Sequence, residues 1–206
     1  MMIQKIWILV ALLSGVTAHA DVSIDFDHAQ GSLEFHAIGR PSALKIVGKS
    51  GPPKGSLIMS QTALDGALLL DLNGLDTGIE LRNHHMKEKY LQTQTFPQAK
   101  LQLLSLGVTL QSLTPGYEVT DSPFTGKLLL HGVEKPVSGK VTIKRSENTV
   151  TATASFQIKL TDFAIDVPSF MGVTVADVVD ISTTFQAPII QTGKIISQPG
   201  NKSTGN

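Results

Sequence analysis

Along most of this chain apolar and polar side chains alternate one for one, a period that suits extended strands with a single buried face. Ile24 and Phe26, then Leu33 and Phe35, share one face, while Asp25, Asp27 and Glu34 take the other. The pattern continues through Leu68, Leu70 and Leu72, through Leu101 and Leu103, and through Leu128 and Leu130. It returns at Val141 and Ile143, at Phe156, Ile158 and Leu160, and at Val179, Ile181, Thr183 and Phe185. Gly51-Pro52-Pro53, Pro115-Gly116, Gly132 to Pro136 and Ser146 to Asn148 separate the runs and read as turns. At least seven or eight short strands without a βαβ rhythm predict an all-β antiparallel barrel or sandwich. Closure into a barrel would also remove the edges at which strand-rich chains aggregate.

One segment interrupts the alternation. Thr77 and Glu80 have the spacing of a capping box, in which each satisfies an otherwise unpaired backbone N–H. Residues 81–91 are then rich in helix formers, with Arg82, Met86 and Tyr90 on one face at four-residue spacing. Pro97 stops any continuation. The expectation is one short helix capping the end of a barrel.

The two ends read differently from the middle. Lys5, an apolar run over residues 6–13 and the small-residue site Ala18-His19-Ala20 follow the layout of a Sec-type signal peptide. Cleavage is expected after Ala20, which would take away the only tryptophan, Trp7. The apolar run falls well short of the roughly 20 residues a spanning helix needs, so no transmembrane segment is expected in the mature chain. Residues 191–206 are polar and rich in Gly, Ser and Asn, the composition of a disordered tail. Residues 21–190 remain as one barrel domain.

Charge and cysteine content exclude several function classes. Seventeen basic side chains balance 17 acidic ones in 206 residues, so no surplus of cations marks a nucleic-acid partner. The absence of cysteine excludes disulfides, thiolate metal sites and a cysteine nucleophile. Gly48-Lys49-Ser50 resembles the end of a phosphate-binding loop, but the required earlier glycine is Ala43, and a turn is the expectation. No G-x-S-x-G elbow is present, and the chain reads as a non-enzyme.

The histidines after residue 20 are His28, His36, His84, His85 and His131, with no H-x-x-x-H pair. Structural or surface roles are expected, so no metal is assigned; ligands gathered from separate strands are the alternative. Arg82 and His85 at the helix start have two readings. Beside an apolar interior, a guanidinium could pair an anionic head group and an imidazole could donate to a carbonyl. Alternatively, both pin the helix to neighbouring loops.

Three stretches read together resemble the YceI family of bacterial periplasmic proteins. Leu75-Asp76-Thr77-Gly78-Ile79-Glu80-Leu81-Arg82-Asn83-His84-His85-Met86-Lys87, running on to Phe96-Pro97, is similar to that family's D-T-G followed by R-D-x-H-L-K. Gly126 through Leu130-His131-Gly132-Val133-Glu134-Lys135-Pro136-Val137 is similar to its G-x-L-x-I-x-G-V-x-K-P-V. Phe156 through Asp162-Phe163, then Val178-Val179-Asp180-Ile181, resembles its closing strands. Asn83, Gly31 and Ala164 depart from the usual Asp, Ser and Gly.

The resemblance implies an eight-stranded, lipocalin-like antiparallel barrel in the periplasm. It also implies a ligand, an amphiphile with a long isoprenoid chain such as a polyprenyl quinone or polyprenyl phosphate, with no other cofactor. The inward set Leu70, Leu72, Leu101, Leu103, Leu128, Leu130, Phe156, Ile158 and Phe185 suits an apolar tunnel, with Arg82 and His85 as head-group contacts. The competing reading is a structural or stress-response barrel with a filled interior. A homodimer is left open as a further partner, because it needs an exposed apolar patch.

Overall fold

Backbone pairing closes the alternating runs into a ring. The computed structural model describes residues 21–40, 44–61, 63–110, 113–170 and 172–192; the expected signal peptide and nearly all of the expected disordered tail lie outside these. The strands are β1 (Asp21–Asp25), β2 (Gln30–Arg40), β3 (Leu44–Ser50), β4 (Lys54–Met59), β5 (Leu64–Asp71) and β6 (Gln98–Leu106). They continue as β7 (Glu118–Leu130), β8 (Val133–Arg145), β9 (Thr149–Lys159), β10 (Ser169–Phe170), β11 (Val173–Val175) and β12 (Val178–Thr192). The order β1-β4-β5-β6-β7-β8-β9-β12 returns to β1, an antiparallel barrel of eight staves. The last stave runs past Ile190, where the domain was expected to end, to Thr192.

Two staves are built end to end. β1 lies beside residues 189–192 of β12, and β2 lies beside residues 180–186 of the same strand. β4 pairs with β1 and β3 pairs with β2 in the same sense. Gly51-Pro52-Pro53 therefore does not reverse the chain, as a turn would. It joins β3 to β4 along one line. Gly48-Lys49-Ser50, expected as a turn, is strand, and Gly48 is needed because a Cβ would lie 2.1 Å from the Phe35 ring. The third expected turn shrinks to His131-Gly132, both at positive φ, and Val133 to Pro136 already belong to β8.

The far edge of β3 decides the architecture of the upper half. Among the described residues its backbone meets only Asp76, through Lys49 N–H to Asp76 O at 2.7 Å and Asp76 N–H to Lys49 O at 2.8 Å. Beyond that bridge the wall is completed by a helix, α1 (Glu80–His84), which widens into a π-helical turn over His85–Tyr90.

The interior splits accordingly. Where the ring closes strand to strand, Phe26, Leu57, Leu103, Phe124, Val141, Ile143 and Phe185 pack into a solid cluster. Phe26 and Phe185 pack at a tilt with ring centroids 4.6 Å apart. Burying each such ring contributes about 1.5–3 kcal/mol. In the half bounded by the helix, Leu72, Leu75, Leu128, Leu130, Ile158, Phe163 and Ile165 form a second cluster that does not fill the space it surrounds.

Candidate functional site

The helix start does not use the predicted capping box. The N-cap is Ile79 and carries no side-chain hydrogen bond. Asn83 organises the turn instead. Its Oδ1 accepts from the Thr77 N–H at 2.8 Å and the Thr77 hydroxyl at 2.6 Å, and its Nδ2 donates to Asp76 Oδ1 at 2.6 Å. Asp76 Oδ1 also accepts from the Gly78 N–H at 2.8 Å. That backbone donor, followed by the Asn83 amide, holds the Asp76 carboxyl below its ordinary value. A carboxylate at position 83 would have no donor to offer Asp76, so this link depends on the Asn83 amide. Arg82 Nη2 donates to Thr77 O at 2.6 Å, which pins the helix to the loop as one of its two readings required.

The helix then turns one face to the barrel interior. Arg82, Met86 and Tyr90, predicted to share a face, all line a cavity of ≈ 540 Å³, together with His85 and Leu81. This volume lies within the usual range for small-molecule sites. Its walls are hydrocarbon: Phe35, Ile46, Leu70, Leu72, Leu128 and Ile181 are representative. The polar exceptions are Thr77, Arg82, His85, Ser169 and Thr183 with the Tyr90 hydroxyl. Thr183 is already satisfied, donating to Ser32 O at 3.1 Å. Arg82 Nε is buried and has no hydrogen-bond partner among the described residues.

The cavity opens beside the helix. Leu44, Ile79 and Leu81 line it and yet are 47%, 52% and 54% exposed, which marks the mouth. Tyr90 and β10 clasp across it: the Tyr90 hydroxyl accepts from the Ser169 N–H at 3.2 Å and meets Ser169 O at 3.4 Å.

Of the side chains expected to face a ligand, Leu70, Leu72, Arg82, His85, Leu101, Leu128, Leu130, Phe156 and Ile158 line this cavity. Leu103 and Phe185 do not. Both point inward as alternation predicted, but they lie in the strand-closed half and are consumed in its packing. The reading of a filled barrel therefore holds for one half only. Sequence reasoning missed Leu33, Phe35, Ala37 and Ile46, which β2 and β3 bring to the wall. Leu33 and Phe35 had shown the alternation; the interruption by Gly48 and the two prolines hid the strand opposite them.

Apart from His85 in the cavity wall, the histidines divide as surface and structural groups. His28, His36 and His84 pair with Asp25, Glu34 and Glu88. His131 Nδ1 donates to Phe163 O at 3.1 Å, and its ring meets Phe96 edge-on at 4.6 Å. Among the described residues no group of three His, Asp or Glu could hold a metal ion. No helix among them is long and apolar enough to cross a membrane.

Comparison with known proteins agrees with this geometry. The family model for the YceI-like domain matches residues 13–187. The chain belongs to the YceI-like family. Among solved structures, it is similar to a polyisoprenoid binding domain from Saccharophagus degradans, with TM-score 0.62 and 19% identity over 82% of this chain and 99% of that one. Burkholderia cenocepacia BcnA superposes with TM-score 0.61 and 18% identity, covering 80% of this chain and 99% of that one. A Campylobacter jejuni YCEI protein follows at TM-score 0.56 and 11% identity, covering 71% of this chain and 86% of that one. At these identities the likeness establishes the YceI-like fold. No curated protein matches the chain.

Proposed function

We propose that this YceI-like protein binds an amphiphile with an isoprenoid chain, a polyprenyl quinone or polyprenyl phosphate, and carries or stores it in the periplasm after removal of residues 1–20. It does no bond chemistry of its own. The observation that carries this reading is the ≈ 540 Å³ hydrocarbon-walled cavity that opens beside the helix and has few polar groups in its lining, among them Arg82, His85, Thr77 and the Tyr90 hydroxyl. A polar head resting at that mouth would leave its tail inside. Burial of about ten methylenes at ~0.8 kcal/mol each gives ~8 kcal/mol gross, a micromolar scale before ordering costs. The similarity to a polyisoprenoid binding domain supports the same ligand class.

Extraction tests the reading directly. The protein purified from its own host should release a prenylated lipid into organic solvent, identified by mass spectrometry. The delipidated protein should then take up a prenylquinone with micromolar affinity. Solvent extracts without any prenyl compound, together with no prenylquinone uptake, would overturn it.

A further inference from the structure

The cavity is blind. Its deepest lining residues are Leu33, Thr183, Phe156, Leu101 and Leu68, which the sheet register sets side by side: Leu33 faces Thr183, Ile181 faces Phe156, and Leu68 faces Leu101. The next inward residues on β12 and β6, Phe185 and Leu103, belong to the solid cluster, as does Phe124 of β7. Phe156 and Leu101 pack against both clusters and form the partition between them. Phe124 lies directly beneath, edge-on to Phe156 with centroids 6.0 Å apart. A Cβ at Gly139 would come within 2.7 Å of the Phe124 ring, so a glycine there makes room for it.

From this geometry we propose that Phe156, with Leu68 and Leu101, is a ruler that sets how much of a prenyl tail the protein recognises. The inference rests on the isoprenoid-binding reading and deepens it. From Leu33 at the floor to Gly39, opposite Leu44 at the mouth, β2 advances six residues. At ~3.4 Å per residue and a barrel tilt of ~40°, the depth is about 15 Å. A prenyl unit adds four backbone bonds of ~1.5 Å, or about 5 Å along a zigzag chain. A straight tail of about three units then reaches the Phe156 floor. Carbons beyond that length fold back at the mouth or stay outside and bury no further wall.

The test is a set of prenols, geraniol, farnesol, geranylgeraniol and solanesol, titrated into the delipidated protein. Affinity should rise about tenfold per unit as far as farnesol and then level off. Phe156→Ala exposes the Phe124 ring as a deeper floor and should move the break one unit longer, to geranylgeraniol. Leu68→Phe raises the floor and should weaken farnesol about tenfold while sparing geraniol; it also serves if Phe156→Ala does not fold, as judged by circular dichroism. Affinity that keeps rising to solanesol, or a break that stays at farnesol in a folded variant, overturns the ruler alone. Failure of every prenol to bind the unaltered protein overturns the ruler and the isoprenoid reading together.

Discussion

Replacing Leu70 by Phe separates an unfilled barrel from a packed one, because the two interiors predict opposite signs. Leu70 lies on β5 two residues above Leu68 at the floor and is only half-buried, although it lines the cavity. The substitution adds three carbons to a wall that has space for them. At ~0.8 kcal/mol per buried carbon the gross gain is ~2.4 kcal/mol, reduced by about 0.5–1 kcal/mol of lost rotamer freedom. The ligand-free protein should therefore become more stable by roughly 1–2 kcal/mol. For a chain of this size that raises the melting temperature by about 2–8 °C. In a filled core the same ring would overpack and cost about 1–3 kcal/mol. The ring also takes the place of about three ligand carbons, so at about tenfold per five-carbon unit prenol affinity should fall roughly fourfold. Thermal unfolding of the delipidated variant and a prenol titration read both effects. A lowered melting temperature with unchanged prenol affinity would refute the reasoning, since the cavity would then be neither open nor the binding site.

Other consequences follow from single residues. Ala164 holds a left-handed conformation at φ 54°, at the end of the short 3-10 turn Leu160–Phe163. Ala164→Gly should stabilise by about 0.5–1 kcal/mol, measured as a higher urea midpoint, because relief of the left-handed strain exceeds the added chain entropy. Arg145 is 3% exposed; its Nη2 donates to Glu147 O at 3.2 Å, while Nε and Nη1 have no partner among the described residues. Desolvation holds this guanidinium below its ordinary pKa. Arg145→Met should stabilise by about 1–3 kcal/mol, and a clear loss of stability would show that the charge is compensated. The Asp76 carboxyl is held below its ordinary 3.8, so its contribution is complete above that pH and is lost as pH falls through the lower folded value. Hydrogen exchange at the Gly78 amide should accelerate only below pH 3.8. Asp76→Asn, which keeps the acceptor oxygen, should remove that acceleration.

Much of the fold was legible because alternation is a local property. A strand with one wet face writes its phase into its own residues, so Leu128 and Leu130, or Phe156 and Ile158, declare their inward direction without reference to any partner. β3 was not legible for an equally local reason. Gly48 and the prolines at 52 and 53 carry turn chemistry, yet the first makes room for Phe35 and the others bend one stave. The helix was legible from its composition, but its cap was not. Thr77 and Glu80 fit a capping box by spacing, whereas the side chain that takes the Thr77 donors is Asn83, which the fold of the turn brings within reach.

Inward direction, the strand-rich class and the helical interruption were thus set by the order of residues alone, through the geometry of the extended chain. Whether an inward leucine meets another side chain or open space was decided only in three dimensions. Leu101 and Leu103 lie two residues apart on one strand and look alike in sequence. Leu101 lines the cavity and Leu103 is buried in solid core, because one half of the ring closes strand to strand and the other is completed by a helix. A cavity depends on the separation of opposite walls, and that separation belongs to the closed ring as a whole.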